Sequence, residues 1–105
     1  MEHVEYSHYI PSDVIDGGEE ARIAQVGEIK FSAMKYQPYY CRVGKYAARV
    51  NEILSSERPN CWRAALYICH PDGTQTFHKD NKLYNEDEIF IWAATQLTQL
   101  LELLD

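Results

Sequence analysis

"CWRAALYICHPDGTQTFHKDNKLY" (residues 61–84) is the stretch that most constrains the fold. Its first ten residues are rich in β-formers and apolar at both odd and even positions, which is typical of a strand covered on both faces. Pro71 presets the φ angle of a turn, Asp72 fits the next position and Gly73 takes a positive φ. The sequence therefore predicts a hairpin with a three-residue loop and a glycine bulge.

The hairpin register decides whether this stretch is also a chemical site. The predicted cross-strand pairs are His70–Thr74, Tyr67–Phe77 and Leu66–His78. His70 and His78 would then lie four rungs apart, or ~13 Å at ~3.3 Å per residue. That is too far for two ligands that each sit ~2.1 Å from one zinc ion. We interpret the stretch as structural, with an aromatic Tyr67–Phe77 pair, and predict no bound metal and no cofactor.

Residues 84–105 carry the clearest helix pattern. Asn85 is a good N-cap and Glu88, three residues later, completes a capping box. Apolar residues cluster in one arc at helical spacing: Ile89, Phe90, Ala93, Leu97, Leu100, Leu101 and Leu104. Trp92 and Leu103 border this arc and are the candidate seam of a homodimer. Burial of the whole arc in a monomer is the alternative.

The residues before the hairpin complete the predicted fold. Residues 1–20 read as an irregular N-terminal arm in which Tyr6 and Tyr9 could anchor a short edge strand, and residues 21–105 read as a single domain. Residues 21–43 alternate like strands, with a parity switch near Met34 that requires a bulge or bend. Residues 45–56 place Tyr46, Val50, Ile53 and Leu54 on one helical stripe. The prediction is an α+β fold of ββ-α-ββ-α outline, a small antiparallel sheet with two helices packed on one face.

Composition and charge limit the classes of function. The 105 residues are 46% hydrophobic and lack an apolar run long enough for a membrane helix. Three cysteines (Cys41, Cys61, Cys69) and no visible signal peptide favour reduced thiols in a cytoplasmic protein. The net charge of −6 is unevenly spread: residues 1–28 carry −6, residues 29–82 carry +5 and residues 83–105 carry −5. This pattern indicates either internal neutralisation or two faces of opposite sign.

The leading functional hypothesis is a small acidic, non-enzymatic binding protein. It would act as an inhibitor, an immunity-type protein or an adaptor by occupying a protein partner through its acidic ends, which suit a basic partner. The acidic residues predicted to contact that partner are Asp13, Asp16, Glu19, Glu20, Glu86, Asp87 and Glu88.

Two alternatives remain. Tyrosines alternate with cations in "MKYQPYYCRVGKY" (residues 34–46), a composition that suits nucleotides or single-stranded nucleic acid, a protein interface or a plain core strand. The residues that would carry nucleic-acid or ligand contact are Lys35, Tyr36, Tyr39, Tyr40, Arg42 and Lys45. The least favoured alternative is a small hydrolase using His70, Asp72, His78 and Asp80.

Overall fold

Seven strands and one helix make up the described part of the chain. The computed structural model describes residues 3–9, 21–34, 37–53 and 61–103. The elements are β1 (Glu5–Tyr9), β2 (Ala21–Val26), β3 (Ile29–Ala33), β4 (Tyr39–Val43), β5 (Tyr46–Ile53), β6 (Cys61–Cys69), β7 (Gln75–Leu83) and α1 (Glu86–Glu102). All seven strands form one antiparallel sheet in which each strand pairs with its neighbours in the sequence. The predicted small sheet with two helices is therefore wrong.

The helix predicted over residues 45–56 is wrong because Tyr46–Ile53 forms strand β5. Gly44, at φ 62°, and Lys45 form a tight turn that returns the chain antiparallel to β4. On its other side β5 pairs with β6 along its whole length. Ala47 and Ala48 are both fully buried, so β5 is covered on both faces. Hydrogen bonding to two neighbouring strands outweighs a helical spacing of apolar residues, since local propensity is only a weak determinant of secondary structure.

The predicted strand region 21–43 contains three strands. β2 and β3 are joined by a turn at Gly27, which has a φ of 59°. The parity switch near Met34 marks the end of β3 at Ala33, whereas a bulge or bend within one strand was predicted. The Nη2 atom of Arg22 donates to the carbonyl oxygens of Met34 (3.2 Å) and Gln37 (3.0 Å), which ties the β3–β4 connection to β2.

The N-terminal arm contributes the edge strand β1, which pairs with β2 from Glu5↔Gln25 to Tyr9↔Ala21. Residues 10–20 lie outside the described residues.

The β6–β7 hairpin has the predicted turn. Gly73 has a φ of 91°, its N–H donates to the carbonyl of His70 (3.0 Å), and the His70 N–H donates to the carbonyl of Thr74 (2.9 Å). Tyr67 lies opposite Phe77, as predicted, with the ring centroids 6.1 Å apart. The predicted Leu66–His78 pair is wrong, because a bulge shifts the register and places Lys79 opposite Leu66.

Helix α1 begins as predicted and packs on one face of the sheet. The Oδ1 atom of Asn85 accepts from the Glu88 N–H at 3.0 Å. The buried helix residues are Ile89, Phe90, Ala93, Ala94 and Leu97. Phe90 is the centre of the core, with ring centroids 4.9–6.1 Å from those of Tyr6, Phe31, Tyr39 and Trp62.

The helix contacts strands across most of the sheet, namely β2, β5, β6 and β7. Its 17 residues span about 26 Å at ~1.5 Å per residue, so these contacts can be spread along its length.

Candidate functional site

The sheet face opposite α1 carries the most distinctive chemistry. Ala48, Val50, Ala64 and Leu66 belong to the core under the helix. Because side chains alternate along a strand, the residues between them point to the opposite side. We call this opposite side, over strands β2–β7, the outer face.

A line of cations crosses the outer face. Each of the five strands β3–β7 supplies one cation, and we call the set the cation track: Lys30, Arg42, Arg49, Arg63 and Lys82. Arg42 pairs with Ala47, two residues before Arg49. Arg49 pairs with Ala65, two residues after Arg63, and Arg63 pairs with Lys82. The track is therefore diagonal to the strands and roughly 23 Å long, from ~4.8 Å between strands and ~3.4 Å per residue.

Aromatic side chains flank the track. Tyr40 lies on one side of it, two residues before Arg42, and Tyr67 and Phe77 lie on the other. The guanidinium carbon of Arg49 is 5.6 Å from the centroid of the Tyr67 ring, a cation–π contact. Phe77 is 52% exposed, so an apolar ring on this face is open to solvent.

Small residues form the floor beneath these long side chains. Ala47 and Ala65 are buried although they point away from the helix. Gln75 of β7 donates from Nε2 to the Tyr40 hydroxyl of β4 at 3.2 Å. This bond spans the two intervening strands, so both side chains lie flat across the outer face. The face is thus a platform of rings and guanidinium groups over alanine.

The cations of the track are nearly free of acidic partners. Within the described residues, Asp80 is the acid paired with a track cation, since the Nε atom of Arg63 donates to its Oδ2 at 2.9 Å. Arg63 also lies directly opposite Lys82, and like charges in such a pair are destabilising. The arrangement has an excess of positive charge that a bound anion would relieve.

The helix side of the molecule carries the opposite charge. Glu86, Asp87 and Glu88 occupy the first turn of α1, where negative charge is favourable to the helix dipole. Burial, followed by the charges of Asp87 and Glu52, raises the pKa of Glu86 above its ordinary value. The Tyr6 hydroxyl donates to Asp87 Oδ1, and burial together with that bond raises the pKa of Tyr6.

An open cavity of about 590 Å³ is lined by residues of β2, the β3–β4 connection, the end of β5 and the start of β6. Its walls include Arg22, Tyr39, Glu52 and Trp62. The guanidinium carbon of Arg22 is 4.9 Å from the Tyr39 ring centroid, and its buried Nε has no hydrogen-bond partner among the described residues. The cavity offers a donor, an acceptor and two aromatic rings to a small polar molecule.

The described residues predicted to contact nucleic acid lie in different parts of the structure. Tyr40 and Arg42 lie on the outer face, and Lys45 lies in the β4–β5 turn. Tyr39 is 7% exposed and packs on Phe90 under the helix, so it is a core residue. Lys35 and Tyr36 lie outside the described residues, as do the predicted acidic contacts Asp13, Asp16, Glu19 and Glu20.

Sequence reasoning missed most of the cation track. Lys30, Arg49, Arg63 and Lys82 were not selected, because they lie far apart in the sequence and meet only through strand register. The signal in the sequence is that the track cation of each strand lies an odd number of positions from the apolar residues by which that strand packs on the core under α1.

His70, Asp72 and Asp80 of the hydrolase alternative form contacts within the hairpin. Asp72 Oδ1 accepts from the N–H (2.9 Å) and hydroxyl (2.6 Å) of Thr74, and these bonds lower the pKa of Asp72. His70 Nε2 lies 2.6 Å from Thr76 Oγ1, and Asp80 pairs with Arg63. Among the described residues no group of three or more His, Cys, Asp or Glu side chains could hold a metal ion.

The candidate dimer seam is divided between two environments. Trp92 is partly buried and packs against the core, whereas Leu103 is 79% exposed at the end of α1. None of the helices in the described ranges is long and apolar enough to cross a membrane.

Comparison with known proteins returned no match to a family model, to a curated protein or to a solved structure.

Proposed function

We propose that this chain is a binding protein whose cation track holds a linear polyanion, namely single-stranded nucleic acid. The carrying observation is the diagonal of five cations, one from each of five successive strands, with Asp80 as the one acid paired to it in the described residues. Lysine and arginine neutralise backbone phosphates, and this term supplies most of the affinity for nucleic acid whatever its sequence. A chain with a net charge of −6 concentrates positive charge on this face.

The flanking rings support a single strand over a duplex. Unpaired bases stack on aromatic side chains and on arginine planes, whereas bases in a duplex are already stacked on one another. Phe77 is half exposed, and Arg49 already stacks on Tyr67. Bases placed beside the track would meet these groups while their phosphates follow the cations.

The test compares two variants that remove the same charge from opposite sides of the sheet. Arg49→Gln removes a track cation. Lys79→Gln removes an exposed cation that lies opposite core residue Leu66, on the helix side. Binding of a labelled oligothymidine is measured by fluorescence anisotropy over a series of salt concentrations.

The wild-type chain should bind with a log–log salt slope of up to about −3.5, from ~0.7 per neutralised phosphate of a single strand. Arg49→Gln should reduce the slope by about 0.7 and weaken binding about eightfold near ~50 mM salt. Lys79→Gln should leave both values close to wild type. Absence of wild-type binding at low salt, or equal losses in the two variants, would overturn the proposal.

A competition experiment distinguishes nucleic acid from an acidic protein as the ligand of the outer face. Polyglutamate offers a similar line of negative charge without bases. If the outer face recognises bases, polyglutamate should compete much more weakly than the oligonucleotide, and Phe77→Ala should narrow that difference. Equal competition, unchanged in Phe77→Ala, would indicate an acidic protein partner instead.

A second candidate function is binding of the predicted basic protein partner, because the first turn of α1 carries an excess of negative charge. Glu86, Asp87 and Glu88 lie together on the first turn of α1, and the charge of Glu52 acts on Glu86. An inhibitor or adaptor would use this acidic side. Glu88→Lys should abolish capture of such a partner and leave oligonucleotide binding intact, whereas Arg49→Gln should do the reverse.

A further inference from the structure

A second cationic feature lies at one end of the sheet, where two hairpins turn side by side. The β4–β5 turn and the start of the β6–β7 loop line an open surface cavity of about 430 Å³. We call it the hairpin pocket. Its polar walls are Arg42, Lys45 and His70, and Gly44, Cys69 and Pro71 complete most of the lining.

The pocket is built from fixed parts. The N–H of Cys69 donates to the carbonyl of Lys45 at 2.7 Å, which joins the two hairpins. The Nε atom of Arg42 donates to the carbonyl of Gly44 at 3.2 Å, which holds the guanidinium at the rim. Within the described residues its Nη atoms have no partner, so they are available to a ligand.

The lining of the pocket carries a net positive charge from Arg42 and Lys45. Neither cation forms an ion pair within the described residues, and Lys45 Nζ instead lies 5.6 Å from the Tyr46 ring centroid. The neighbouring acid, Asp72, is kept ionised by two hydrogen bonds from Thr74, which lower its pKa, so two cations outnumber one carboxylate here. The pocket therefore suits a compact anion.

Arg42 belongs to both the hairpin pocket and the cation track, so a strand whose end lies in the pocket follows the track from Arg42 to Lys82 and leaves Lys30 beyond its end. We propose that the pocket binds the terminal phosphate of the strand that the track holds, an inference that rests on the proposed function. An internal phosphodiester carries one negative charge, whereas a terminal phosphate monoester carries about −1.5 to −2 at neutral pH and has three acceptor oxygens. Charge-assisted hydrogen bonds to a guanidinium and an ammonium favour the monoester.

The test uses three unlabelled oligothymidines of one length, carrying a 5′-phosphate, a 3′-phosphate or hydroxyls at both ends. They compete with a labelled strand for the wild-type chain. One of the two phosphorylated strands should bind about tenfold more tightly than the hydroxyl strand, and which one does so gives the polarity of the strand on the track. Equal binding of all three strands would overturn the inference and leave the proposed function standing.

Two variants separate the pocket from the track. Lys45→Ala should abolish the advantage of the phosphorylated strand and leave binding of the hydroxyl strand nearly unchanged. Lys82→Ala, at the far end of the track, should weaken all three strands by a similar factor and preserve the advantage. If Lys45→Ala still binds the phosphorylated strand more tightly than the hydroxyl strand, another part of the molecule binds the terminal phosphate. That result would contradict the inference.

An independent measurement does not need the oligonucleotide. Addition of inorganic phosphate, followed by amide NMR, should shift the signals of Gly44, Lys45 and His70 in a saturable way, and these shifts should be absent in Lys45→Ala. If no oligonucleotide binds but these shifts appear, the nucleic-acid proposal fails and the pocket stands as a phosphate site. If the hydroxyl strand binds and phosphate shifts none of these signals, the pocket assignment fails alone.

Discussion

Glu86 is subject to two opposing electrostatic effects. Its place in the first turn of α1 favours the ionised carboxylate through the helix dipole. Burial, then the negative charges of Asp87 and Glu52, disfavour it, and the balance raises the pKa of Glu86. A carboxyl whose pKa is higher in the folded state than in the unfolded state makes folding less favourable once it is ionised.

Glu86→Gln should therefore increase the free energy of unfolding at pH 7. The gain should disappear as the pH falls through the folded-state pKa of Glu86, because the protonated glutamic acid is as neutral as glutamine. Urea unfolding of Glu86→Gln and the wild-type chain at pH 7 and near pH 4 measures the gain in stability and its loss at low pH.

Glu88→Gln is the matched control. It removes the same charge two residues later at an exposed position, where the helix dipole favours the carboxylate, so it should slightly lower stability at pH 7. A Glu86→Gln variant that is less stable than wild type at pH 7 would contradict this account.

The N-terminus of α1 gives a prediction at the scale of one element. Asn85→Ala removes the oxygen that accepts the Glu88 N–H and should cost about 1 kcal/mol of stability. Asn85→Asp keeps an acceptor in place and should cost much less. Chemical unfolding followed by circular dichroism measures both, and equal losses would show that the cap bond contributes nothing.

Elements specified by local chemistry were predictable from the sequence. The Pro71-Asp72-Gly73 turn, the Asn85 cap and the apolar arc of α1 all depend on residues within a few positions of each other. β5 was not predictable, since Tyr46, Val50 and Ile53 fit a helical stripe as well as a strand. What decides its conformation is hydrogen bonding to β4 and β6, partners that the local pattern does not reveal.

The residues of the candidate site also divide into those with a local sequence signal and those without one. Tyr40 and Arg42 were selected because cations and tyrosines alternate in one short stretch. Arg49 was assigned to a helix, and Arg63 and Lys82 were assigned to a structural hairpin. They join Arg42 only when the strand order and register are known. A site assembled across five strands leaves little trace in any one of them.

At the scale of the whole molecule, the described residues place an excess of cations on the outer face and three acids at the start of α1. The outer face carries the cation track, and the side of α1 carries Glu86, Asp87 and Glu88. A polyanion approaching the acidic side is repelled and one approaching the outer face is attracted, so the field orients the encounter. Under the proposed function, these charges would confine a bound strand to the track.

The proposed function therefore predicts the length of strand that the protein should hold. The track is roughly 23 Å long, by the strand spacings above. At ~3.4 Å per phosphate along one strand, this length corresponds to about seven nucleotides. In a series of oligothymidines from about 3 to 12 nucleotides, affinity should rise steeply up to about seven. Beyond that length it should increase only in proportion to the number of ways the strand can be placed.

Lys82→Ala removes one end of the track and should move this plateau to a shorter strand, because the remaining cations cross only β3–β6. Lys79→Ala, on the helix side, should leave the plateau where it is. A steady rise through 12 nucleotides in the wild-type chain would mean that the strand continues past the track onto other parts of the surface. No dependence on length would mean that the anion contacts one or two cations only, and that the diagonal arrangement has no part in binding.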